Sequence, residues 1–281
     1  MGVQSLIVLY EAEIRVCVFG SIFFAMASWE LIAPRRSLQI SKLVRWSCNI
    51  GIVVVNTVIL RLIFPAATVG ASVFAASHNW GVFNAVAWPI WVEVSLSLVL
   101  LDLLIYCQHV MFHAVPMFWR IHKVHHADLD FDVSTGVRFH PAEILFSMFV
   151  KMIAVVFLGA GVLTVIVFES LLNATSMFNH GNVRLAPAVD KWVRKIVVTP
   201  DMHRVHHSVV IDETNSNFGF NLAFWDRLFG TYRAAPNMAH ESMNIGLETF
   251  GEEYRQSLWS LLLMPLRDEQ GPPPFGRGGG E

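Results

Sequence analysis

The chain has 281 residues, a formal net charge of -2, 54% hydrophobic and only 15% charged residues, with a mean hydropathy of +0.50. Soluble domains carry roughly a quarter charged residues, so the deficit points to lipid, and the near-neutral balance gives no reason to expect nucleic acid as a partner. The three cysteines, Cys17, Cys48 and Cys107, form no CxxC pair, suggest no disulfide framework and are too few for a four-thiolate iron–sulfur cluster.

Glu11, Glu13 and Arg15 interrupt the first apolar stretch, which therefore reads as a retained anchor and not as a cleaved signal. Four regions are long and apolar enough to enter a bilayer, at about 20 residues per spanning helix. The first runs over residues 14–32 and ends at Ala33-Pro34-Arg35-Arg36. The second covers 46–64, with Arg61 near its end able to snorkel. The third covers 87–106, with Trp88 and Trp91 as interface anchors. The fourth, 144–178, is too long for one helix; Gly159 and Gly161 offer a turn, which predicts a hairpin that enters and returns on one side.

Arg35, Arg36, Lys42 and Arg45 follow the first span, whereas residues 65–85 carry no Lys, Arg, Asp or Glu. The positive-inside rule makes the first loop cytoplasmic. The third span then delivers His109 to the cytoplasm, and the hairpin returns residues 180–207 to the same side, beside Arg184, Lys191, Arg194, Lys195 and Arg204. Beyond His207 the chain is more polar and reads as a cap, ending in a disordered tail at 271–281. The expected division is 1–85 for N-terminal membrane helices, 86–235 for a catalytic unit and 236–281 for a cap extension and tail.

Ten of the twelve histidines fall between His109 and His207. They form HVMFH (His109, His113), HKVHH (His122, His125, His126) and HRVHH (His203, His206, His207), with His140 and His180 between. Residues three and four apart share a helix face, so each cluster can aim its imidazoles into one sector. Imidazole is the commonest protein ligand for transition metals. A catalytic zinc usually takes three protein ligands and a structural one four, so eight candidates, with His180 a ninth, suit two ions. His140 is either a ligand or a structural residue, while the isolated His78 and His240 read as structural.

At these residues the chain resembles the fatty acid hydroxylase / sterol desaturase superfamily of membrane di-iron enzymes. The resemblance runs from Asp102 to about Tyr232. It includes Asp102-x3-Tyr106-x2-His109-x3-His113, Trp119-x2-His122-x2-His125-His126 and Arg138-x-His140-Pro-x-Glu143. It continues through His180-x-Asn182, Pro200-x2-His203-Arg-x-His206-His207, Asn217-Phe-Gly219 and Trp225-Asp-Arg-Leu-Phe-Gly-Thr231. The first motif departs in having Val110 where many members have Arg, a residue that is not a ligand. The resemblance implies an all-α membrane bundle of about four spans, the hairpin included, under a cytosolic helical cap. It also implies two iron ions, replaceable by zinc in a purified form, and O2-dependent oxidation of a lipid C–H bond.

Asp102, Glu143, Asp201 and Asp226 are candidates to accept the second N–H of ligating imidazoles. Asp102 is an unusual charge at the end of a span, for which a functional role leads. Glu143 is a supporting acid, a ligand, or a helix N-terminal carboxylate favoured by the dipole. Asn182 is placed to hold a metal-bound water or to make a turn. The Trp225 motif reads as docking the cap onto the site, and Lys151 and Glu169 as a headgroup path or a local pair.

No dinucleotide fingerprint or haem-binding motif appears, so a separate electron donor is expected: a ferredoxin or cytochrome b5, or tetrahydropterin as in the alkylglycerol monooxygenase branch. The leading reading is a bacterial inner-membrane lipid hydroxylase acting on an acyl, sterol, ether or amino lipid. A desaturase on the same site is the alternative. A non-catalytic metal-binding or transport protein would place ionisable residues along the middle of the spans, whereas these histidines cluster at one side.

Overall fold

The computed structural model describes residues 9–247 and 257–267; the expected disordered tail lies outside them. The described residues are helical, with β pairing confined to isolated bridges. A span buried in hydrocarbon has no water to satisfy its N–H and C=O groups, which leaves an apolar chain the helix as its solution. Seven helices build the body: α1 (Glu11–Ile32), α2 (Lys42–Ile63), α3 (Ala67–Ser77), α4 (Ile90–Ala114), α5 (Pro116–His126), α6 (Pro141–Leu158) and α7 (Val162–Asn179). Two shorter ones, α8 (Pro187–Val193) and α9 (Pro200–His206), follow in the cap.

Among the described residues, five segments are long and apolar enough to cross a membrane: α1, the stretch Lys42–Ala85, α4, α6 and α7. Phe24, Leu31, Val58, Leu62 and Phe157 stand exposed along them, a surface suited to lipid and not to water. Residues 65–85, read from sequence as an uncharged connection, instead hold α3 and a one-turn helix at Val82–Ala85. At 11 residues α3 reaches only about 16 Å, too short to register as a span. It packs along α6, and Ser72 donates to the Ala160 carbonyl at 2.6 Å.

The 144–178 region is a helical hairpin. Its limbs, α6 and α7, have 18 residues each, about 27 Å, and both outer ends reach the histidines. The turn is tight: Gly159 has φ +71° and closes α6, and a Cβ on it would lie 2.9 Å from the Trp80 carbonyl oxygen. Leu101 and Ile105 of α4, Val155 and Leu158 of α6, and Val165 and Phe168 of α7 fill the space between these helices. Lys151 and Glu169 pair at 3.0 Å, and Glu169 also takes Arg15 and the Thr68 hydroxyl, so four helices meet at one buried carboxylate. The C-terminal helix Leu258–Leu263 buries Leu261, and the turn after it Met264, against Cys48, Ile52, Trp119 and Val124.

Gly159→Ala forces a side chain into left-handed backbone, which costs about 1–2 kcal/mol before the clash is counted. Gly20 in α1 has open space around it, so Gly20→Ala is neutral or stabilising by up to about 1 kcal/mol. Thermal midpoints of the two variants in detergent check the contrast.

Candidate metal centre

Nine buried histidines converge where α4, α5, α7 and α9 meet. Their ligand nitrogens form two groups, each lying within 4.8 Å: His109, His113, His122, His126 and His206 in one, His125, His180, His203 and His207 in the other. Helix α4 delivers His109 and His113, and His180 caps the C-terminus of α7. The two HxxHH motifs are divided between the groups. On α5 the i and i+4 residues His122 and His126 go to the five-membered group and the i+3 residue His125 to the other. In the α9 motif His203 and His207 join the four-membered group and His206 crosses over. Helix geometry explains the division, since i and i+4 lie about 40° apart around the axis while i+3 lies about 60° to the other side of i.

The outward Nδ1 atoms find acceptors. Those of His109, His206, His125 and His180 donate to the carbonyls of Phe218 at 2.8 Å, Ser216 at 2.8 Å, Arg138 at 3.2 Å and Ser176 at 2.7 Å. His122 donates to Glu143 at 2.8 Å, and His113 to the Asn215 side-chain oxygen at 3.2 Å. A carbonyl only accepts, so each of those rings carries its proton on Nδ1 and turns a bare lone pair inward at Nε2. The Nε2 atoms of His125 and His180 then face each other lone pair to lone pair at 3.0 Å; His203 and His207 bring theirs within 3.1 and 3.2 Å of His180. In the other group the Nε2 atoms of His109, His113, His122, His126 and His206 are buried with no hydrogen-bond partner. A proton would relieve this crowding, but burial first and then the neighbouring imidazoles hold His125, His126, His203 and His207 well below the usual histidine range. Burial likewise lowers His180 and His206 to about 3. Converging neutral nitrogen lone pairs fit metal cations.

His140 is not brought into either group. It caps α6, with Nδ1 accepting from the Ala142 N–H at 3.1 Å and Nε2 set 3.1 Å from the Leu262 carbonyl, so both nitrogens are used. Its motif nonetheless serves both groups, because the Arg138 carbonyl holds His125 and Glu143 holds His122. Asp102 touches no histidine. It accepts from the Trp225 indole at 2.8 Å and from the Leu222 and Asn221 N–H groups, pinning the 221–225 turn to α4. Asp226 accepts from the N–H groups of Phe218 and Gly219 at 2.7 and 2.9 Å, which positions the carbonyl that holds His109. A Cβ on Gly219 would lie 2.6 Å from that carboxylate, which is why glycine follows Phe218. Asn182 spends its amide on the Arg36 backbone, at 3.0 and 2.9 Å. Asp201 ties Arg35 to Arg204.

Sequence reasoning missed the Asp128-x-Asp130-x-Asp132 run directly after His126. Arg45 of α2 grips Asp128 with two bonds at 2.8 Å and Asp132 with one at 2.7 Å, and Asn49 bonds Ser134 and Arg138 beside them. Burial alone would raise the Asp128 carboxyl, yet Arg45 and Arg138 hold it well below the usual carboxylate range. The signal was present, since buried carboxylates beside an HxxHH motif need charged or hydrogen-bonding partners, which Arg45 supplies to Asp128 and Asp132 and the Gln39 and Ile40 N–H groups to Asp130.

A fatty acid hydroxylase family model matches residues 94–231, the stretch that holds all nine converging histidines. Ornithine lipid hydroxylase OlsE of Rhizobium tropici is 32% identical over 171 residues, covering 61% of this chain and 49% of that protein. Alkylglycerol monooxygenase of Homo sapiens is 27% identical over 173 residues, 62% of this chain and 38% of that one. Cholesterol 25-hydroxylase of Rattus norvegicus is 29% identical over 153 residues, 52% and 48% of the two chains. The chain thus spans about half the length, or less, of these relatives. No solved structure matches it.

Removing the carboxylate that fixes His122 weakens metal retention. Glu143→Ala should lose about 10–100-fold in metal affinity and Glu143→Gln, which keeps an acceptor oxygen, less; metal content after dialysis against a graded chelator reads the difference. The depressed histidines also set an acid limit. Below about pH 6.5 the unfolded chain binds protons that the folded one refuses, so metal-free protein loses stability as pH falls from 6.5 towards 3. A thermal midpoint that stays flat across that window would contradict the buried neutral cluster.

Proposed function

The chain belongs to the fatty acid hydroxylase / sterol desaturase superfamily, and from that premise we propose that it is a membrane lipid hydroxylase that holds two iron ions and uses O2 to oxidise a lipid C–H bond. The observation that carries the reading is the pair of facing groups of buried neutral imidazoles at one end of a lipid-exposed bundle. His109, His113, His122, His126 and His206 would hold one iron, and His125, His180, His203 and His207 the other. An iron pair bound there supplies the redox chemistry to activate O2, which zinc on the same nitrogens does not.

The chain's own contribution is orientation and dryness. Glu143 and the carbonyls of Phe218, Arg138, Ser176 and Ser216 fix the rings so that their Nε2 atoms point inward. Phe112 stacks on His122 and Phe139 on His125, with ring centroids 5.4 and 4.4 Å apart, while Phe218 stands edge-on to His109, His113 and His206. These walls exclude water from the nitrogens, which strengthens every electrostatic contact inside. The substrate in this reading is an amphiphile presented from the bilayer. An amino lipid is the first to try, given the ornithine lipid hydroxylase among the relatives. The electrons come from a separate donor of the ferredoxin, cytochrome b5 or tetrahydropterin kind. Arg35, Arg36 and Lys42, in and just after the α1–α2 loop, favour a cytoplasmic site in a bacterial inner membrane.

The test is protein reconstituted with iron, reductant and candidate lipids. About two irons per chain, O2 uptake and a lipid gaining one oxygen are expected, and His180→Ala or His206→Ala should cost more than the roughly 10–100-fold lost with a supporting hydrogen bond. Loss of two hydrogens from the lipid would make the enzyme a desaturase. Exchangeable metal with no O2 uptake on any lipid would overturn the assignment.

A further inference from the structure

Helix α8 buries none of its residues. Over 186–197 the apolar residues Val189, Trp192, Val193 and Ile196 recur at i, i+3, i+4 and i+7, one continuous face of a helix and the turn that extends it. Val189, Trp192 and Ile196 are 48%, 67% and 65% exposed. Lys191, Arg194 and Lys195 flank this face against a single acid, Asp190, which pairs with Arg194. The Lys195 ammonium lies 3.6 Å from the centroid of the Trp192 ring.

A second segment extends the same surface. The Ala223 N–H donates to the Ile196 carbonyl at 2.8 Å, and the Val198 N–H to the Asn221 carbonyl at 3.1 Å. Just beyond, Phe224, Leu228 and Phe229 are exposed. Phe229 stacks on Tyr106 of α4 with ring centroids 5.3 Å apart, about one turn before His109. Further down α4, Leu96, Val99 and Leu100 are exposed as well. The patch is therefore continuous with the outward face of a membrane-length helix, at its histidine-bearing end.

Exposed aromatic and aliphatic residues with lysine and arginine alongside are what a helix lying in the headgroup layer presents. We infer that residues 186–196 and 224–229 form an in-plane membrane anchor, in which the apolar face enters the leaflet and Lys191 and Lys195 bind anionic lipid headgroups. Continuity with α4 selects the bilayer as the occupant, because a protein partner seated here would have to displace lipid from the same face. The anchor is joined to the chemistry through short connections: Pro200 opens α9 four residues after Ile196, and the Val197–Leu222 bridge holds the two segments together. It thereby sets how the histidine-bearing cap rests on the membrane, whatever lipid the centre oxidises.

The experiment is hydrogen–deuterium exchange on the full chain in nanodiscs of phosphatidylcholine alone or with one third phosphatidylglycerol. Amides in peptides covering 186–196 should exchange more slowly, on the order of tenfold or more, with the anionic lipid, which attracts basic residues near its surface. K191Q/K195Q should erase the lipid dependence, while W192S/I196S should raise exchange in both discs; peptides from α4 serve as the folding control. Equal exchange in the two lipids overturns the anchor, as does dependence that survives K191Q/K195Q. Protection that appears only when an acidic electron-donor protein is added would assign the patch to a protein instead.

Discussion

A neutral imidazole has one proton to place, and the fold is organised around where those protons go. The Nδ1 atoms of His109, His113, His122, His125, His180 and His206 all point to acceptors outside the cluster, leaving the Nε2 atoms to crowd one another within. These lone pairs oppose one another, and burial holds the rings well below the usual histidine range, so a proton does not relieve them near neutral pH. The acceptors come from segments far apart in the chain: the last turn of α7, the tight turn that ends at Arg138, the first turn of α6, and the loop from Asn215 to Phe218. Each must be held rigidly, since an acceptor that drifts releases the ring.

That requirement accounts for polar groups that otherwise look remote. Asp226 fixes the Phe218 carbonyl, and Asp102 fixes the turn in which Trp225 sits. Arg45 reaches from α2 into the aspartate run that follows α5, so a membrane helix with no ligand of its own still braces the segment leading to Arg138. Burying so many charges is costly unless each is paired. Here the Arg45 guanidinium meets Asp128 with two hydrogen bonds and Asp132 with a third, which trades hydration for geometric definition.

Much of this was legible in the sequence because histidine spacing and helical periodicity report on local geometry. The three clusters, the hairpin at Gly159 and the spans over α1, α2 and α4 follow from patterns contained within a few turns. Long-range pairing was harder to see. Nothing in the local pattern says that Asp102 belongs to Trp225 rather than to a histidine, that Asn182 is committed to Arg36, or that His140 caps a helix whose partner carbonyl lies at Leu262. Helix α3 escaped notice because an apolar run of 11 residues is ambiguous between a connection and a short packed helix.

The division of each HxxHH motif between the two groups ties their mechanics together. A helix is stiff about its own axis, so any twist of α5 that advances His122 and His126 also carries His125 with it, and α9 with its cap repeats the relation with the roles exchanged. The two centres therefore behave like a pair of locks cut on shared keys. Were both groups to hold metal as proposed, each ion would draw on helices from which the other site is also built.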